Sequence, residues 1–457
     1  MPENFGVVIL AAGKGTRMRS SRPKVLHPLC GLPLLEYPLR LAKDLDPLET
    51  IVVVSHGKEE IEERFSSWPV KFVDQGEPLG TGHAVLSARP FLSAPRFFVL
   101  PGDAPLVPAE ALRLLLEEHL RSGAFASFLT MEPVDPGAYG RVVRDEGGTP
   151  CRIVEAGDAS SDLLGIREVN SGIWCLENHP ALWQALEKIS PHNVKGEYYL
   201  TDLVALLYPQ VRAVRWENPE DLLGINDRVE LARAEAILRK RILERWMREG
   251  VTIVDPLSVY PSPDVRVGED TVIFPGTFLL GATEIGSNCQ IGPQAYLWES
   301  KVAEGAKIWF SVLEAVEVGP GAQIGPYAHL RLGAKVGANV RVGNFVEVKA
   351  SSLGEGTKAL HLAYIGDAEV GPRANIGAGA ITCNFQPGRK EKFRTEIGAD
   401  AFIGSNACLI APIRIGEGAV VGAGSVITKD VPPYALAVER SAQVVKADWA
   451  RRFKEDE

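Results

Sequence analysis

A glycine-rich turn, Leu10-Ala11-Ala12-Gly13-Lys14-Gly15-Thr16-Arg17-Met18, is followed within a few residues by Arg22-Pro23-Lys24. Backbone donors from the turn and the cations of Arg17 and Lys24 then converge on one spot, as binding a phosphate requires. The turn does not fit G-x-x-x-x-G-K-[ST], and Met18 takes the last place of G-x-G-x-x-G, so neither common nucleotide fingerprint accounts for it. In the second half His361 stands in Ala359-Leu-His361-Leu-Ala-Tyr364-Ile-Gly366-Asp367. A lone histidine is usually structural. Arg331, Lys349, Tyr364 and Asn375 alter that reading, because they supply cations and donors for an anionic ligand.

Two different architectures must position these groups. In the first half, apolar runs at Val7–Leu10, Ile51–Val54 and Phe97–Leu100 alternate with helical stretches such as Ala109–Leu120. That alternation predicts a buried, mostly parallel sheet with helices on both faces. Ligands bind such sheets at the carboxyl ends of the strands, where Ala11–Arg19 and Gly102-Asp103 fall. In the second half, aliphatic-glycine pairs recur every six residues: Ile285-Gly286 and Ile291-Gly292, Val318-Gly319 and Ile324-Gly325, Ile397-Gly398 and Ile403-Gly404. This is the period of a parallel β-helix, with three hexads per coil and the glycine expected to let the chain turn each corner. The helix of hexads is expected from about Val251 to Val431, interrupted at Leu353–Tyr364 and Ala378–Glu396, with a polar tail from Pro432. Between the halves, Asp227–Gly250 predicts one connecting helix with Leu231, Ile237, Leu238, Ile242, Trp246 and Met247 on one side and Gly250 as its stop. The domains expected are 1–226, a linker helix over 227–250, and 251–457.

At 457 residues the chain is long enough for two or three domains. Its net charge of −9 argues against a nucleic-acid binder. Six scattered cysteines without a CxxC pair suit reduced thiols in a cytoplasmic protein. The start runs directly into a strand, which leaves no room for a signal peptide, and no apolar stretch reaches the ~20 residues of a membrane span.

The first half resembles the nucleoside-diphosphate-sugar pyrophosphorylases. Gln75 and Leu79-Gly80-Thr81-Gly82-His83-Ala84 are similar to their base-binding stretch, and Pro101-Gly102-Asp103 to their metal-binding loop. Tyr139-Gly140-Arg141, Glu155, Asn170, Lys195-Gly-Glu-Tyr-Tyr-Leu-Thr-Asp202 and Gly224-Ile-Asn226 resemble the sugar-binding and second metal positions. The second half resembles the left-handed hexapeptide-repeat acyltransferases; the handedness comes from that resemblance alone. Together the motifs resemble, over nearly the whole chain, the bifunctional N-acetylglucosamine-1-phosphate uridylyltransferase/glucosamine-1-phosphate acetyltransferase family. The resemblance implies an α/β Rossmann-like nucleotidyltransferase domain followed by a left-handed parallel β-helix of hexapeptide repeats.

It also implies the chemistry. Acetyl transfer from acetyl-CoA to glucosamine 1-phosphate would precede uridylyl transfer from UTP to N-acetylglucosamine 1-phosphate, giving UDP-N-acetylglucosamine and pyrophosphate for cell-envelope synthesis. Leu10, Ala11, Ala12, Gly13, Lys24, Gln75, Gly80, Thr81, Pro101, Gly102, Asp103, Gly140, Glu155, Asn170 and Asn226 would bind nucleotide and sugar, with Mg²⁺ on Asp103 and Asn226 and the leaving group on Arg17 and Lys24. His361 would be the base that deprotonates the amine, and Arg331, Lys349, Tyr364 and Asn375 would hold the sugar phosphate. Ala378, Asn384, Phe385, Ser405, Ala423 and Arg440 match acetyl-CoA positions. There the chain departs from the family: the usual Asn-Tyr-Asp-Gly is Asn384-Phe385-Gln386-Pro387-Gly388, with a longer loop before Lys392 and no tyrosine hydroxyl. The proposed acetyl-CoA ligands look dispersed along the repeats, and a three-sided prism packs around a threefold axis, so a homotrimer with shared sites is expected. The rival readings are a single-activity nucleotidyltransferase with an oligomerising β-helix, and a non-enzymatic scaffold.

Overall fold

The computed structural model describes residues 4–453. The chain divides into two compact units, the first ending at Leu238 and the second beginning at Arg239.

In the first unit, Gly6–Leu10 lies between Glu49–Val54 and Arg96–Pro101 and is parallel to both. The sheet continues outward through Lys71–Asp74 on one side and through Val169–Glu177, Ala126–Met131 and Val211–Arg215 on the other. Val169–Glu177 runs antiparallel to Arg96–Pro101 and Ala126–Met131, and beside it Arg141–Arg144 and Pro150–Val154 add a further antiparallel pair to the sheet. Val7, Val8 and Ile9 are wholly buried, because apolar cores cover both faces of the sheet. The helix Ala109–Ser122 ends at Gly123, whose φ of 63° is the left-handed cap that glycine adopts without strain.

The second unit stacks short strands into three sheets in which every pairing is parallel. Coils lie in register: Ile324 sits on Val342, Leu330 on Val348 and Val318 on Val336. The inward columns, such as Leu279, Leu297, Leu313 and Leu330, are fully buried, each worth roughly 1.5–3 kcal/mol.

Several details differ from the expectations. Leu353–Tyr364 is no interruption: Ala359 and Ile365 occupy the inward positions above Val342 and Val348, and Leu362 takes the corner at φ 51° in place of a glycine. The aliphatic-glycine pair lapses at one hexad, Ala359-Leu360, between Leu353-Gly354 and Ile365-Gly366, while the coil continues. A true loop does leave the prism between the strands Ile381–Cys383 and Thr395–Ile397. The stack also outlasts Val431, since Leu436–Ala437 pairs with Val420–Val421. The glycines after the aliphatic residues serve close approach more than turning. A Cβ on Gly319 would lie 2.6 Å from the Gly337 carbonyl carbon in the next coil.

The helix between the halves runs Arg228–Arg248. Its first part packs Leu231 and Ala234 with Met18, Leu29 and Ile225. Further along, Leu243 and Trp246 are buried while Met247 is exposed, so the apolar stripe includes Leu243 in place of Met247. Gly250 follows at φ 93°, with Val251 N donating to Trp246 O.

Candidate functional sites

The parallel strands of the first unit end together, and a cavity of about 550 Å³ opens there. Leu10, Ala11, Ala12, Gly13, Lys24, Gln75, Gly80, Thr81, Pro101, Asp103, Glu155 and Asn170 all line it. The glycines earn their places sterically. Gly15, at φ 60°, leaves room for Lys24, whose Cβ would be 2.6 Å from a side chain at residue 15. At φ 124° Gly80 admits the Tyr198 backbone, and it opens the helix Thr81–Ala88. Gln75 Nε2 donates to Gly80 O at 3.0 Å, and Thr81 Oγ1 accepts from Leu200 N at 2.9 Å.

Gly102 and Gly140 stand behind the wall. Gly102 N donates to Leu10 O at 2.9 Å, and a Cβ on Gly140 would press on Glu155 Oε1. Burial pushes the Glu155 carboxyl above the ordinary carboxylate range, against the pull of the Thr201 hydroxyl, which donates to it at 3.1 Å, and of Lys195. Asn226 and Arg17 line an adjoining recess of about 270 Å³. Ile225 N donates to Asp103 O at 2.9 Å, which ties this recess to the Asp103 loop.

The cations are already engaged. Lys24 Nζ pairs with Asp103 Oδ2, and Arg17 Nη2 donates to Asn226 Oδ1 at 2.9 Å. Each oxygen expected to hold a metal therefore attracts a cation from the chain itself. Asp103 and Asn226 are hard oxygen donors, and one carboxylate with phosphates and water is enough for Mg²⁺, so the donor set fits that ion. Among the described residues no cluster of three or more His, Cys, Asp or Glu forms a self-sufficient metal site.

On the β-helix, register does what linear sequence conceals. Asn344 pairs with His361, and the backbone ladder continues upward through Gly379 N to His361 O, Asn406 N to Ala378 O and Gly424 N to Ser405 O. Asn344, His361, Ala378, Ser405 and Ala423 thus stand in one column along a single corner. Ala378, Ser405 and Ala423, expected to be dispersed, do lie one, two and three coils above His361, but all on the same corner. Arg440 lies beyond this column, exposed, past the last strand.

His361 Nδ1 and Asn344 Oδ1 are 2.7 Å apart. An amide oxygen only accepts, so Nδ1 carries the proton and Nε2 keeps a free lone pair. On the neighbouring sheet Arg331 Nη1 pairs with Glu347 at 2.8 Å, and Lys349 Nζ with Asp367 at 3.3 Å. Asn384 Nδ2 donates to Asp367 and, at 3.2 Å, to Tyr364 Oη. Asn375 lies on the His361 sheet, in register with Lys358 below it and Phe402 above. Phe385 is exposed, and Lys392 Nζ sits 4.5 Å from its ring centroid, so the aromatic face holds a cation although the hydroxyl is gone.

Asn344 and Asp367 were missed by sequence reasoning. Asn344 lies 17 residues before His361, one coil lower, and that spacing was the available signal.

Comparison with known proteins agrees with this layout. A MobA-like NTP transferase domain matches residues 7–188, and a hexapeptide repeat of succinyl-transferase matches residues 394–429. A protein of Exiguobacterium sibiricum named Bifunctional protein GlmU is 46% identical over 98% of this chain and 100% of its own length. Proteins of the same name from Brevibacillus brevis and Halalkalibacterium halodurans are each 45% identical over 98% of this chain, covering 97% and 99% of their own lengths. The stacked hexads are those of a left-handed β-helix.

Proposed function

The chain belongs to the family of bifunctional GlmU proteins, and from that premise we propose how its residues divide two transferase activities. It is an enzyme with both a uridylyltransferase and an acetyltransferase activity. Residues 1–226 carry uridylyl transfer, 227–250 link, and 251–457 carry acetyl transfer. The observation that supports this division most is the presence of two separate constellations, each built on its own scaffold.

In the first site, N-acetylglucosamine 1-phosphate is the nucleophile. Its phosphate is already anionic, so no general base is required; the demand is for in-line placement and charge neutralisation. Lys24 and Arg17 hold the departing pyrophosphate, while Gln75, Gly80 and Thr81 take the base of UTP. Gly140, Glu155 and Asn170 face the sugar. Asp103 and Asn226 would hold Mg²⁺, which would neutralise charge on the phosphate oxygens when bound.

In the second site, His361 Nε2 takes a proton from the amine of glucosamine 1-phosphate. The amine nitrogen attacks the thioester carbonyl carbon of acetyl-CoA, the C–S bond breaks, and the thiolate of coenzyme A takes the proton held on His361 Nε2 and leaves as its thiol. Asn344 fixes the ring, and Arg331, Lys349, Tyr364 and Asn375 hold the sugar phosphate. Ala378, Ser405 and Ala423, small residues in one column above His361, let the pantetheine arm lie against the backbone. Asn384 and Phe385 border the arm, and Arg440 pairs with a cofactor phosphate.

The protein works as a homotrimer. An exposed apolar stripe supports this: Tyr327 stacks on Phe345 at 5.5 Å along one prism edge, half-buried Phe310 tilts against Tyr327 at 5.6 Å, and Leu362 continues the edge, 61% exposed. Six free thiols support a reducing, cytoplasmic setting. No helix among the described residues is long and apolar enough to cross a membrane. Thiol release from acetyl-CoA and pyrophosphate release from UTP, assayed separately on the purified chain, test the proposal. Both should be found; absence of thiol release would reduce the β-helix to a scaffold.

A further inference from the structure

The two oxygens assigned to the metal and the two cations assigned to the phosphates are, without ligands, bonded to one another. Lys24 and Asp103 are close to fully shielded, with side chains 13% and 18% exposed. Gly15, without a Cβ, leaves room for the Lys24 stem to reach Asp103. Next door, in a more exposed setting, Arg17 donates to the neutral amide oxygen of Asn226, and Ile225 N donates to Asp103 O between the two contacts. A dication reaching Asp103 must displace an ammonium, and a triphosphate reaching Lys24 must displace a carboxylate. Either ligand alone meets a closed pair. Both together exchange partners, with metal on the oxygens and cations on the phosphates, and no charge is left uncompensated in a shielded site.

We propose that Lys24, as the counter-cation of Asp103, and Arg17, as a donor to the Asn226 amide oxygen, keep the metal ligands closed until a polyphosphate draws them away, so that metal and nucleoside triphosphate bind as a coupled pair. This rests on Asp103 and Asn226 being the metal ligands. One carboxylate and one amide hold a hard dication weakly by themselves, so the competing lysine sets the affinity of the ligand-free enzyme. Loss of pyrophosphate would restore the pairs and weaken the hold on the ion. The coupling is reciprocal: whatever opens one half of the exchange favours the other.

The consequence is counter-intuitive and measurable without turnover. Free Mn²⁺ is titrated by electron paramagnetic resonance against the full chain without nucleotide, and UTP is titrated by calorimetry in EDTA. Lys24→Met should tighten Mn²⁺ binding by about tenfold, toward the lower end of the range for coupled sites. Lys14→Met, which removes a cation lining the same cavity, should tighten it far less. Asp103→Asn should bind metal-free UTP more tightly than the unmodified chain, because it releases Lys24. Thermal unfolding confirms that each variant is folded. The proposal is overturned if Lys24→Met matches Lys14→Met for Mn²⁺ or if Asp103→Asn leaves UTP affinity unchanged. A different failure, Asp103→Asn retaining full Mn²⁺ affinity, would instead remove Asp103 from the metal site.

Discussion

At the scale of residues, the chemistry-bearing side chains of the first half were readable because their motifs sit at strand ends, where the fold collects them. Twelve positions from Leu10 to Asn170 line one cavity. What linear reading could not supply was pairing: that Lys24 meets Asp103, or that Asn344 lies under His361, depends on which backbones stack. Glu155 shows how environment tunes one such residue. Burial holds its folded-state pKa above the ordinary 4.5, so the folded chain keeps that proton longer than the unfolded one. The sign follows: Glu155 costs stability as pH rises from the ordinary carboxylate value through its folded value, and the cost is fully present above that. Glu155→Gln should therefore gain stability relative to the unmodified chain as pH is raised through this window. Urea midpoints at several pH values measure it, and a constant difference at all pH values would contradict the assigned cause.

At the scale of elements, the hexad spacing announced the β-helix and its inward columns, and the valine and isoleucine runs announced the central parallel strands. The spacing failed at Leu353–Tyr364, because the repeat was being tracked through glycine. The stack is held by inward aliphatics, and there Ala359 keeps the inward place with Leu360, not glycine, after it. It failed also at the last coil, where Leu436 is 69% exposed and carries no apolar-inward signal. Where glycine is present, its role is to let coils approach. Gly319→Ala would put a methyl 2.6 Å from Gly337 carbon and 2.7 Å from Ala338 N. Backbone on both sides must shift, so the change should cost ~1–3 kcal/mol, the usual range for overpacking. A lowered urea midpoint with an unchanged slope would report it; an unshifted midpoint would mean that the coils are not packed as tightly as described.

At the scale of the whole molecule, the expectation of shared sites must stand on new ground. Ala378, Ser405 and Ala423 form a column over His361 within one chain, so only Arg440 and the loop from Asn384 to Arg394 lie off that column. The apolar edge of Phe310, Tyr327, Phe345 and Leu362 is the feature that a second copy would cover. Mixing His361→Ala with Arg440→Ala subunits should restore acetyl transfer if Arg440 serves a neighbour's histidine, and light scattering should give a trimer. An active monomer, or mixed trimers without recovery, would return Arg440 to its own chain. The central claim, however, is two independent active sites on one polypeptide. The most direct measurement is pyrophosphate release and thiol release, each assayed on Asp103→Ala and on His361→Ala. The account predicts that Asp103→Ala loses pyrophosphate release while thiol release stays within a few-fold, and that His361→Ala keeps pyrophosphate release while thiol release falls by about 10²–10⁴-fold. Loss of both activities in either folded variant, or near-normal thiol release from His361→Ala, would contradict it.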